Sequence, residues 1–130
     1  VAYGGAAQYC AWIGGRLPTE DLWTAEASNA GTRPYPWGIE PEPGANNTVF
    51  KEASTLPVCS KPEGHSISGV CDLSGNVWEW TASTSKEGDA WMVIRGGSWL
   101  STTAESLTVN YRSGQDPNTA WVTTGLRCVR

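Results

Sequence analysis

From Thr32 to Ser68 the chain carries no durable hydrophobic period, and this limits its fold more than any other feature. The stretch "RPYPWGIEPEPGANN", Arg33 to Asn47, is turn chemistry from end to end. A segment this long cannot sit in a compact domain without ties from outside itself, such as a disulfide or a bound cation. Four cysteines, Cys10, Cys59, Cys71 and Cys128, offer such ties. No C-x-x-C occurs and His65 is the single histidine, so the spacings do not point to a structural zinc site. An even cysteine count in a loop-rich chain points to two disulfides and an oxidising setting: extracellular, cell-surface or periplasmic. Three pairings are possible, and the residues alone do not choose among them.

Regular structure is expected on either side of this segment. Ala6 to Ile13 reads as a short helix with Ala6, Tyr9 and Ile13 on one face, ended by Gly14-Gly15. A second helix follows Thr19. Its hydroxyl is a fitting N-cap, and Glu20 and Asp21 place negative charge where the helix dipole favours it. Leu22, Ala25 and Trp23 are expected to face the core, and Asn29-Ala30-Gly31 to stop the helix. Strands are expected at 76–81, 90–95, 107–112 and 124–130. Within "NVWEW" the alternation sets Trp78 and Trp80 on one face and Val77 and Glu79 on the other.

A chain of 130 residues fits one domain. No run of about 18 apolar residues exists, so no helical membrane insertion is expected. The net charge is −4 and Lys/Arg form no cluster, which argues against a nucleic-acid partner. Eight tryptophans stand against one phenylalanine, and most of the indoles are expected to fill the core.

Four segments in order carry a resemblance: "AAQYCAWIGGRLPTEDLW", "YPWG", "GVCDLSGNVWEW" and "RGGSW…YR…GLRCVR". Together they resemble the formylglycine-generating enzyme, or sulfatase-modifying factor, family. The resemblance implies an α+β fold, an irregular variant of the C-type lectin fold with two short helices and short antiparallel strands. It spans nearly the whole chain, read as a single domain over 1–130. Family members usually carry a further N-terminal part, so this chain is expected to be the later part of a larger domain or an abbreviated version.

The resemblance also implies chemistry at named positions. It pairs Cys10 with Cys128, which leaves Cys59 and Cys71 to pair with each other. It implies a calcium ion held by the main-chain carbonyls of Ser74, Gly75 and Val77 and by the Glu79 carboxylate, the hard oxygen donors such an ion takes. The alternative for Glu79 is an arginine partner or backbone amides. Asn47, or Asn46 by a one-residue shift, matches a second calcium position. The aspartate loop that would complete that second site is replaced by "VFKEASTLPVCS", so it is not expected to form.

The family's oxidase chemistry needs two cysteine thiolates that bind copper, between the "RGGS" strand end and the arginine-bearing strand after it. Here that interval, Trp99 to Tyr111, has no cysteine. Neither copper nor the conversion of a substrate cysteine is expected. His65 in "EGHSISG" has no nucleophile elbow and reads as a solvated loop residue. Glu105 and Asp116 read as exposed loop acids, and no phosphate loop is present.

Recognition is the function left. The layout from "RGGSW" to "GLRCVR" is similar to the variable proteins of diversity-generating retroelements. The residues between are mostly Ser, Thr, Asn, Gly, Tyr and Trp, a mix suited to adaptable binding loops. The expected role is a non-catalytic binding or display domain that meets a protein or glycan through loops at 99–124. The candidate contacts are Trp99, Ser101, Thr102, Glu105, Tyr111, Gln115 and Trp121, and Arg95, Arg112 and Arg127 are expected to hold the loops. The alternatives are an oxidase-related enzyme and a structural subunit that meets a neighbouring chain.

Overall fold

A computed structural model describes residues 1–86 and 90–130. Helices α1 (Tyr3–Trp12) and α2 (Glu20–Ser28) precede the long irregular segment. Strands β1 (Trp78–Thr84), β2 (Met92–Arg95), β3 (Arg112–Gln115) and β4 (Thr124–Gly125) follow it. They form one mixed sheet in the order β3-β2-β1-β4, antiparallel except for the parallel β1–β4 pair. Single 3₁₀ turns lie at Pro62–Gly64 and Ala104–Leu107. The expected α+β class with little regular structure holds.

Local chemistry sets the ends of α2. Thr19 Oγ1 accepts the Leu22 amide at 3.2 Å, and Asn29 ends the helix in the left-handed region at φ 49°. The buried faces differ from those expected. In α1 the core side is Ala6 and Cys10, while Tyr9 and Ile13 are exposed. The reason is covalent: the Cys10–Cys128 disulfide turns that side toward the C-terminal segment and Trp80. In α2, Trp23 and Ala27 are buried, while Leu22 and Ala25 face outward. Here a polar contact sets the rotation, since the Trp23 indole reaches a buried carboxylate.

The third expected strand, 107–112, is replaced by the 3₁₀ turn and an irregular run into β3. Arg95 explains the change. Its buried guanidinium donates to the carbonyls of Val109 and Tyr111, both at 2.9 Å, so a side chain satisfies groups a ladder would have paired. At the C-terminus only Thr124–Gly125 pairs as a strand, and Val129 bridges singly to Arg16.

The irregular segment gains its ties. Asn76 grips it at Leu56, accepting from the amide and donating to the carbonyl, both at 3.2 Å. Thr48 Oγ1 donates to the Ser74 carbonyl at 2.6 Å, and the Asn76 amide donates to the Val49 carbonyl at 2.9 Å. Gly75, at φ 86°, permits this approach: a Cβ there would lie 2.2 Å from Thr48 Oγ1. Cys59–Cys71 closes the end of the segment, and both expected disulfides are present.

The core has two parts. One gathers Ala6, Cys10, Leu17, Trp80 and Ile94; the other Trp23, Ala27, Leu73 and Val109. The expectation that most indoles fill the core is corrected. Trp23 and Trp80 are fully buried, but Trp12, Trp91 and Trp121 are 81%, 51% and 57% exposed. Between the core parts lies Glu79, 4% exposed. Arg127 donates to both its oxygens, from Nε at 2.9 Å and Nη2 at 2.7 Å, and Trp23 Nε1 donates at 2.6 Å. Burial by itself would lower the Arg127 pKa, but the Glu79 charge and hydrogen bonds outweigh it and raise it. A second cluster joins Glu20 to Arg95 at 2.8 Å and to Arg112 at 2.7 Å.

Three measurements follow from this packing. Glu79→Gln strands the Arg127 charge and is expected to cost about 3 kcal/mol in denaturant unfolding. The Cys10→Ala/Cys128→Ala double variant, which opens a loop with sequence separation 118, is expected to lose about 4–5 kcal/mol. Burial pushes the Glu20 carboxyl up, but the Arg112 hydrogen bonds and the charges of Arg95 and Arg112 hold it below its ordinary 4.5. Its contribution is therefore complete above 4.5 and fades as pH falls through the lowered value. The stability gap between wild type and Glu20→Gln should accordingly start to narrow as the pH falls below 4.5 and level off once it is under the lowered value.

Candidate functional site

β2 ends at the buried Arg95, and Gly96 and Gly97 carry the chain over α2 and Leu73 at positive φ. The loop that follows is pinned by its main chain. The Trp99 amide donates to the Asn76 carbonyl at 2.8 Å, and the Glu52 amide donates to the Trp99 carbonyl at 3.0 Å. Ser98 and Ser101 close a tight turn, with the Ser98 amide donating to Ser101 Oγ at 3.0 Å. Tyr111 leans on Trp78 with ring centroids 6.0 Å apart. These elements enclose an open depression of about 340 Å³, walled by Trp78 and Tyr111 and rimmed by Ser101, Thr102, Thr103 and Ser106. Aromatic faces beside hydroxyls can hold a ligand by stacking and hydrogen bonding.

Of the candidate contacts, Ser101, Thr102 and Tyr111 meet at this depression. Trp99, Glu105 and Trp121 lie outside its lining, although Glu105 and Trp121 are exposed. Gln115 is corrected: it is buried in β3, donates to the Thr119 carbonyl at 3.1 Å and accepts from Thr124 Oγ1 at 2.8 Å. It braces β4 and does not face solvent. Trp78 is the site residue that sequence reasoning missed. Alternation sets it on one face with Trp80, and it does pack against that core cluster, but it is only half-buried and so also walls the depression. Asp116 Oδ1 accepts the Asn118 amide at 2.9 Å and so closes its own turn.

Two of the four expected cation donors, Glu79 and the Ser74 carbonyl, have partners within the protein. Both Glu79 oxygens face the Arg127 guanidinium, and the Ser74 carbonyl accepts from Thr48. A calcium ion there would have to compete with the half-buried Arg127 guanidinium for the Glu79 oxygens, an arrangement that fits the arginine partner. Asn47 is 4% exposed and serves its own turn, with Oδ1 accepting the Gly44 amide and Nδ2 donating to the Glu42 carbonyl. Asn46 is exposed. His65 differs from the solvated loop residue expected: its Nε2 is buried. All four sulfurs are bonded in the two disulfides. A chelator is expected to leave the melting temperature unchanged; a drop on chelation, reversed by added calcium, would show that the ion displaces Arg127.

A family model described as "Sulfatase-modifying factor enzyme 1-like domain" matches residues 1–130. The chain is 37% identical over 145 residues to the Mus musculus "Inactive C-alpha-formylglycine-generating enzyme 2", covering 98% of this chain and 47% of that protein. It spans about half the length of that relative and of its Bos taurus counterpart. Its fold is similar to that of PvdO from Pseudomonas aeruginosa, with TM-score 0.83 and 22% identity over 97% of this chain and 58% of that one. It is also similar to Treponema denticola variable protein 1, with TM-score 0.72 and 24% identity over 86% and 46%. The shared segments, the α+β fold and a family match over the full chain agree, and the chain belongs to the sulfatase-modifying factor enzyme 1-like domain family.

Proposed function

We propose that this domain is a non-catalytic binding module whose C-terminal loops take a protein or glycan ligand at the Trp78–Tyr111 depression. The observation that carries the reading is the loop between β2 and β3. Where related enzymes keep two thiolates, it presents hydroxyls and an aromatic wall instead. All four sulfurs are spent in disulfides, and none of them lies in the loop where related enzymes hold copper. A rigid frame carrying the loop supports recognition, because pinned main chain lowers the entropy lost when a ligand is bound. The mouse relative named inactive and the variable-protein neighbour agree with this role. Two disulfides favour an oxidising compartment.

The test is a screen of the immobilised domain against a glycan array and a displayed-peptide library. Saturable binding is expected. Tyr111→Ala should weaken it by about tenfold or more with little change in melting temperature, while Trp121→Ala leaves it intact. A ligand indifferent to Tyr111→Ala would move the site elsewhere. Oxygen consumption with copper(I) and a cysteine peptide would overturn the non-catalytic reading. The variable-protein reading favours many genomic copies that differ only between Ser98 and Gly125.

A further inference from the structure

Cys59, His65 and Cys71 are spaced so that five residues separate each from the next, which carries no metal signature by itself. The fold closes that arc. The Pro62–Gly64 turn reverses the chain, the His65 amide donates to the Pro62 carbonyl at 3.2 Å, and Ser66 Oγ anchors to Glu26 at 2.6 Å. One ring nitrogen of His65 and the two sulfurs then lie within 4.8 Å of one another. A second observation falls on the same residue: His65 Nε2 is buried and has no hydrogen-bond partner among the described residues. A buried imidazole nitrogen without a partner is costly unless something else occupies it. The disulfide is also accessible. Cys59 is exposed, and both cysteines line an open depression of about 460 Å³.

We propose that reduction of Cys59–Cys71 by a dithiol converts this loop into a zinc site of two thiolates and the His65 imidazole, with the fourth position open. The dithiol supplies two electrons and two protons to the sulfur–sulfur bond and becomes a disulfide itself. Zinc then replaces the two thiol protons, which pass to solvent. Tetrahedral zinc, with bonds of about 2.0–2.3 Å, needs its ligand atoms roughly 3.5 Å apart. Sulfurs joined in a disulfide are not thiolates and offer zinc no donors, so the bond itself keeps the site shut. Asp72, whose carboxylate accepts the Cys59 amide at 2.8 Å, adds negative charge beside the ion. Cys10, by contrast, is fully buried, so the dithiol reaches Cys59–Cys71 first. Three protein ligands and one open position are the pattern of a zinc that binds or activates a further ligand.

The test uses the full chain, mildly reduced and kept anaerobic, with alkylation mapping to show that only Cys59 and Cys71 have opened. Cobalt(II) alone is the probe. One equivalent should bind, with thiolate-to-cobalt charge-transfer absorption and tetrahedral d–d bands that zinc abolishes. The oxidised protein should show none. His65→Ala, with Cys10–Cys128 intact and circular dichroism unchanged, should weaken cobalt binding by more than about tenfold, and His65→Cys should restore it. Folded, reduced protein that binds no cobalt would overturn the proposal, as would His65→Ala binding as wild type does. Unfolding on reduction that neither cobalt nor zinc reverses would overturn it as well.

Discussion

The buried Glu79 carboxylate is the point on which the structure turns. It sits in β1, takes the Trp23 indole from α2 and both donors of Arg127 from the C-terminal segment. Arg127 in turn donates to the Cys71 carbonyl at 2.6 Å, so the irregular segment is drawn into the same contact. A carboxylate this deeply buried is tolerable only because three donors meet it. With so little regular secondary structure, few ladder bonds are available to do this work. A charged contact between distant parts of the chain replaces them.

The same logic runs outward to the surface. Arg95 reaches across to the Val109 and Tyr111 carbonyls and to Glu20, which sets where the loop after β2 returns to the sheet. The loop's main chain is thus fixed by groups beneath it, and its outward side chains are under little structural demand. Hydroxyls can stand there where related enzymes place thiolates, because the frame does not depend on them. The Cys59–His65–Cys71 arc lies apart from that loop and is held by its own turn and by α2.

Some of this was legible in the chain. The Thr19 cap, the Asn29 stop and the lack of period in 32–68 are local features, and local chemistry settled them. The family-implied cysteine pairing held, since the two ends of the chain do meet. What failed were statements about which side of an element faces inward. Tyr9 and Ile13 yielded to Cys10, and Leu22 and Ala25 yielded to Ala27 while the expected Trp23 held, because a disulfide and a buried carboxylate, not apolar periodicity, rotate these helices. Gln115 looked like a loop contact and is a buried brace; Trp78 packs against the core beside Trp80 and also walls the depression.

By itself the sequence determined the class of fold, the family, whose resemblance implied the cysteine pairing, and the missing thiolates of the loop. These depend on residue types and on their order along the chain. Only the tertiary structure decided that Glu79 meets Arg127, that Ser101, Thr102 and Tyr111 share one depression while Trp121 does not, and that His65 stands beside a disulfide. Each of these is a contact between residues far apart in the chain or around a reversed turn. Such contacts depend on how helices and loops pack in three dimensions, and no local period or spacing records that.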